Sequence, residues 1–194
     1  VGDSAIFTVA IDSIKKRGAQ LAPWMKDGMM LEYYVQMVSI KSEAQTKADN
    51  EKKSTAQKTI DATLIEDYLK KNNITAQKSA SGLNYVITMP GAGENAKAGQ
   101  SVTVNYTGTT LDGKKFDSNV DSTFNHVQPF TFTLGQGQVI KGWDEGIALL
   151  KKGGKARLFI PSHIAYGAHS PSPAIPANSV LIIDVEVVNS EEAK

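Results

Sequence analysis

Tyr106, Phe116, Asp117, Phe130 and Trp143 are the residues of this chain whose types and spacing could support chemistry. Val102, Val104 and Tyr106, and again Phe130, Phe132 and Leu134, alternate at the two-residue period that puts side chains on one face of a strand. Two such runs on neighbouring strands make a wall of aromatic and aliphatic groups. A single acid, Asp117, follows directly on Phe116. An apolar recess with few oriented polar groups is the usual anatomy of a small-ligand site. From local sequence alone, Asp117 reads equally as a turn-capping acid, and the aromatics as ordinary core.

Other chemistry is poorly supported. The chain of 194 residues has no cysteine, which removes disulfides, thiolate catalysis and cysteine-ligated zinc. His126, His163 and His169 lack ligand spacing and read as surface residues, so no metal and no cofactor is expected. Gly135-Gln136-Gly137 has neither a third glycine nor a βαβ setting, which argues against dinucleotide binding. A net charge of +1 argues for neither nucleic acid nor an anionic membrane as partner. Hydrophobic (41%) and charged (21%) fractions suit a globular chain, and no apolar run is long enough to span a bilayer. Opening on Val1 inside a strand-like pattern, the chain reads as a piece of something longer.

The elements that must position these residues fall into three segments. Residues 1–40 read as β: a strand near Ala5–Val9, a turn-rich piece ending in Asp27-Gly28, then a run from Met30 to Ile40. Val1 onward lines up with Lys152 onward, and Met29 onward with Ser179 onward, at nearly equal separation, as in an internal repeat. Chance likeness of two strand pairs is the alternative. Residues 41–75 lack Gly and Pro and carry Glu43/Lys47 and Asp49/Lys53 at helical spacing. One helix from Ser42 to Lys71 would be about 45 Å long. Its second half is expected to dock through Ile60, Leu64, Ile65, Tyr68 and Leu69; a charge-rich disordered linker is the alternative. Residues 76–194 read as strands separated by turns, with Asp112-Gly113 as a hairpin signal and one short helix from Lys141 to Leu150, stopped by Gly153-Gly154. The expected class is α+β, a curved antiparallel sheet wrapped on one short helix, preceded by a long connecting helix and a partial second β domain.

The blocks V-N-Y-T-G, L-D-G-K-K-F-D-S, P-F-T-F-T-L-G, Q-V-I-K-G-W-D-E-G, K-A-R-L-F-I-P, A-Y-G and I-I-D-V-E-V-V, in that order, resemble the FKBP-type peptidyl-prolyl isomerases. The likeness runs from about Leu83 to Asn189. It implies a pocket with Trp143 as floor and Tyr106, Phe116, Phe130, Val139 and Ile175 as walls. Asp117 and Tyr166 would be its polar groups, and the Ile140 backbone N–H would meet a substrate carbonyl. Catalytic roles fall on Asp117, Tyr166, Phe116 and Trp143, and substrate contacts on the others. The resemblance further implies proline-containing polypeptides as partners and macrolides of the rapamycin and tacrolimus type as ligands. By the repeat, residues 1–40 look like the tail of a degenerate domain of the same kind, without catalysis of its own. Analogy with multi-domain bacterial members suggests the cell envelope or periplasm, while the helix and the non-catalytic repeat offer a surface for a homodimer contact through the N-terminal region. Three departures stand out: Ile183 where many members carry an aromatic, Pro171-Ser172 in the overhanging loop, and a lengthened Asn119–Gln128 segment. A non-catalytic folding chaperone or adaptor is the second reading.

Overall fold

A computed structural model describes residues 2–18 and 20–192. Val1, at the start of the expected first segment, Ala19 within it, and residues 193–194, at the end of the last, lie outside the described residues. The chain divides into two compact units, Val1–Asn50 and Glu51–Lys194.

In the first unit, β1 (Ser4–Ala10) and β2 (Met30–Gln36) form an antiparallel pair, with α1 (Ile11–Lys16) between them. The sequence reading had neither α1 nor the early end of β2. Asp12 lies in the first turn of α1 and Lys15 and Lys16 in its last, which suits the helix dipole. Lys15 also pairs with Asp27 at 2.9 Å, tying the helix to the turn before β2. Ser4 pairs with Gln36 as Lys155 pairs with Glu186, and Val9 with Leu31 as Ile160 with Leu181. The two aligned segments thus share one strand register as well as a spacing.

The long helix α2 (Glu43–Lys71) carries residues of both units. A capping box starts it: the Gln45 N–H donates to Ser42 Oγ at 3.1 Å, and the Ser42 N–H to Gln45 Oε1 at 2.9 Å. Asn73, in the left-handed region at φ 54°, ends it, with the Ile74 N–H returned to the Leu69 carbonyl.

The second unit is built on an antiparallel sheet in the order β3 (Gln77–Lys78), β4 (Asn84–Met89), β10, β11, β6, β7, with β8 also on β6. The remaining ranges are β5 (Ala92–Asn95), β6 (Gln100–Thr110), β7 (Lys115–Ser118), β8 (Phe130–Thr133), α3 (Lys141–Ile147), β9 (Lys151–Lys152), β10 (Lys155–Ile160) and β11 (Leu181–Glu192). Strand alternation gives the sheet two faces. Ala156, Leu158 and Ile160 of β10 and Leu181, Ile183, Val185 and Val187 of β11 enter the main core with Trp143 and Ile147 of α3. On the opposite face, the pairs Lys155–Glu186 and Arg157–Asp184 face outward, while Phe159 and Ile182 are buried under Ile65 and Leu69 of α2. The fold is the expected α+β design.

Two local readings change. Ile60 and Leu64 are 52% and 44% exposed, so of the expected stripe Ile65, Tyr68 and Leu69 dock, and Asp61 joins them. A hydropathy pattern favours apolar positions, yet Asp61 is fully buried because Ser162 needs it: the Ser162 N–H and Oγ–H donate to Asp61 Oδ2 at 2.8 and 2.6 Å. Helix α3 ends at Ile147 rather than Leu150, and Gly153, at φ 76°, serves the β9–β10 turn rather than stopping the helix. The Leu149 and Leu150 N–H groups donate to Gly146 O and Ile147 O at i−3, so the chain tightens into turns past Ile147, and the Gly153 N–H donates to Val187 O.

Candidate active site

Strands β6, β7, β8 and β11 meet the N-terminal end of α3 around an open cleft of about 170 Å³. Trp143, 8% exposed, sits in the first turn of α3 and is fixed by that helix's approach to β10. The approach requires glycine. A Cβ at Gly142 would lie 2.4 Å from Ile160 Cγ2, and one at Gly146 2.5 Å from Leu158 Cδ1. The spacing K-G-W-D-E-G therefore brings the helix near the sheet and leaves the indole at the cleft.

Around Trp143 the rings pack edge to face, the arrangement that matches ring edges to π faces. Tyr106 stands 4.9 Å from the indole centroid at 73°, and Phe130 6.4 Å away at 70°. Val102 pairs with Phe132 and Val104 with Phe130 across β6 and β8, so the two alternating runs do share a face. Phe116 closes another side. Its ring lies over Gly108 of β6, where a Cβ would come within 2.4 Å of Cζ. Gly108→Ala should therefore displace the Phe116 ring and cost about 1–3 kcal/mol of stability, read as a fall in Tm. An unchanged Tm would show that the ring moves aside without strain.

The polar groups converge on Asp117. The Tyr106 hydroxyl donates to Asp117 Oδ2 at 2.7 Å, and His126 Nε2 stands 2.8 Å from Oδ1. Burial, then the Asp117 carboxylate, push the Tyr106 phenol's ionisation well up, so it remains a donor throughout the neutral range. Burial and the same carboxylate raise Tyr166 as well. Tyr166, 39% exposed, lines the cleft from the segment after β10. Ile140 is the N-cap residue of α3 in extended backbone (φ −62°, ψ 148°), which puts its N–H ahead of the helix hydrogen bonds. Among the described residues no group of three His, Asp or Glu is placed to hold a metal.

Of the ten site residues expected from sequence, Tyr106, Phe116, Asp117, Phe130, Val139, Ile140, Trp143, Tyr166 and Ile183 line the cleft. Ile175 does not. It is 5% exposed within the main core, with its N–H bonded to Ser172 O, because that loop folds back on itself and turns the side chain inward. Leu181 and Gln138 line the cleft and were missed. Leu181 had a signal, since it lies two residues before Ile183 on the same strand face. Gln138 had none; its Oε1 accepts the Thr133 N–H at 2.8 Å, a contact made only on folding. His126, expected as a plain surface residue, is half exposed but joined to Asp117.

Comparison with known proteins agrees on one family. A family model described as FKBP-type peptidyl-prolyl cis-trans isomerase matches residues 92–188. An FK506-binding protein of Neisseria meningitidis serogroup C is 50% identical over 100 residues, covering 52% of this chain and 88% of that protein. The isomerase FkpA of Escherichia coli K12 is 38% identical over 159 residues, covering 79% of this chain and 53% of that protein. The crystal structure of FkpA from Escherichia coli superposes with a TM-score of 0.58 at 33% identity, over 80% of this chain and 76% of that one.

Proposed function

Because the chain belongs to the FKBP-type peptidyl-prolyl cis-trans isomerases, we propose that it rotates X–Pro bonds in the cleft floored by Trp143. Amide resonance opposes that rotation by roughly 18–20 kcal/mol. Uncatalysed X–Pro exchange takes tens to hundreds of seconds. The twisted transition state has lost its resonance and with it much of the charge separation of the planar amide. A water-poor aromatic cleft favours that state over the ground state, and each 1.36 kcal/mol of such preference is worth about tenfold in rate. No nucleophile is required.

In this reading Trp143, Tyr106, Phe116, Phe130, Val139 and Ile183 enclose the proline ring. The Ile140 N–H binds the substrate carbonyl, and Asp117 and Tyr166 orient the amide. One observation carries it: a single cleft gathers nine of the ten expected residues from six parts of the chain around one bonded Tyr106–Asp117 pair. The test is isomerisation of a short X–Pro peptide by the native chain, Asp117→Ala and Tyr166→Phe, with and without rapamycin. Turnover inhibited by the macrolide, and reduced about tenfold or more in Asp117→Ala, is expected. Native rates in both variants would remove those two residues from the site.

The finer assignments belong to the same reading. Residues 1–40 are taken as an FKBP-like tail, 41–75 as a linker and 76–194 as the isomerase domain, and the shared register of β1–β2 and β10–β11 supports the first of these. Ile6, Phe7, Tyr34 and Val38 of the first unit are exposed, which favours a binding surface there, a homodimer contact or a chaperone site for unfolded chains. Sedimentation of the full chain tests the dimer; suppression of aggregation by Asp117→Ala tests chaperone action without turnover. Cell fractionation tests the envelope location. Among the described residues no helix is long and apolar enough to cross a membrane.

A further inference from the structure

We propose that His126 is a positioning residue for this reaction: its imidazole and the Tyr106 hydroxyl clamp the two oxygens of Asp117, and protonation of the ring sets the charge presented at the cleft mouth. The inference rests on the cleft being the isomerase site.

The segment after β7 is shaped to deliver this ring. Asn119, 3% exposed, accepts the Tyr106 N–H on Oδ1 at 2.7 Å and donates through Nδ2 to Val104 O and Gln128 O at 2.9 and 3.0 Å. Both ends of the lengthened loop are thereby fastened to β6. Inside it, Asp121 caps the turn at Ser122–Phe124 by accepting the Thr123 N–H, and Asn125 takes the left-handed conformation at φ 58°. The Gln128 N–H then closes on His126 O at 2.8 Å. A loop held at its base and turned at Asn125 presents His126 Nε2 to Asp117 Oδ1 at 2.8 Å, with Oδ2 already held by Tyr106.

The other titratable groups that face the pair come from β6, β7, the loop itself and the segment after β10. Tyr106 on β6 and Tyr166 after β10 are neutral there, both pushed upward by burial and Asp117. Lys115 on β7 and Asp121 in the loop satisfy each other at 2.7 Å. Histidine is the side chain that ordinarily changes charge between about pH 5 and 8. A neutral ring can donate one N–H and leaves the carboxylate's charge uncompensated beside the cleft. A protonated ring makes an ion pair with it, so the mouth carries no net charge and water is held less strongly where the twisted amide must form. Activity should thus rise as the ring takes up its proton.

The experiment is a protease-free assay of a short, uncharged X–Pro peptide across pH 5.5–8.5, using the full chain, His126→Arg and His126→Asn. The native kcat/KM should be about two- to fivefold higher at pH 5.5 than at pH 8.5, the modest size expected of a half-exposed pair. His126→Arg, permanently charged, should hold near the native low-pH value throughout. His126→Asn, a donor without charge, should hold near the native high-pH value. A flat native profile, a step that survives in both variants, or a loss of rate equal at every pH would overturn the role of His126. Absence of native turnover at all pH values would instead sink the assignment of the isomerase site, which separates the two failures.

Discussion

Asp61→Ala is expected to cost the second unit about 3 kcal/mol of stability while leaving turnover of a short X–Pro peptide unchanged below the new melting point. Asp61 lies in the middle of α2, fully buried, and its Oδ2 accepts both the N–H and the hydroxyl of Ser162, itself 1% exposed. Gln57 Nε2 donates to the other oxygen at 2.8 Å. Removing the carboxylate orphans two donors that water does not reach, at about 1–3 kcal/mol each. Relief of the buried charge offsets part of that. The net loss should lower Tm by about 6–12 °C for a unit of this size. Asp61→Ala combined with Ser162→Ala should recover the share due to the hydroxyl, leaving the N–H share. A drop of less than 2 °C for Asp61→Ala would mean that α2 is held by Ile65 and Leu69 against Phe159 and Ile182 alone.

Gly142→Ala should damage stability and activity together. Alanine is the better helix former by about 1 kcal/mol, so an exposed glycine at this position would gain from the change. Here the new Cβ would sit 2.4 Å from Ile160 Cγ2, on a fully buried, β-branched side chain with little freedom to turn away. Overpacking of this kind costs about 1–3 kcal/mol, which outweighs the propensity. The alternative to strain is for α3 to withdraw from β10, and Trp143 and Ile140 would move with it. A loss of about 2 kcal/mol with a tenfold or greater fall in kcat/KM is therefore expected. Adding Ile160→Ala should cost less than the sum of the two single changes, because the clash is shared. Strict additivity, or full activity in Gly142→Ala, would show that the close approach of helix and sheet has no bearing on the cleft.

Residues that face one another across neighbouring strands were legible in the sequence because strand geometry is periodic. The two-residue alternation at Val102–Tyr106 and Phe130–Phe132, and the Asp112-Gly113 turn, required only local rules, and both strands lie where those rules put them. The extent of α2 was likewise legible: a run without Gly or Pro, with paired charges at helical spacing, was expected from Ser42 to Lys71 and forms Glu43–Lys71. Most of the cleft's lining followed from motif resemblance, which composition and spacing alone would have left undecided between core and pocket.

Tertiary structure decided what local patterns cannot encode. Asp61 is buried because a serine 101 positions away offers two donors, and hydropathy along the helix favoured Ile60 and Leu64 instead. Ile175 turns inward because its loop bonds back on Ser172. His126 becomes part of the site because Asn119 fastens the loop on which it rides. In each case the deciding partner is remote or lies across an irregular loop. Hydrogen bonds formed only on folding outweigh the preference of the residue taken alone. Sequence periodicity therefore determined the elements and the faces they present, whereas long-range pairing of polar groups fixed which side chains those faces bring together.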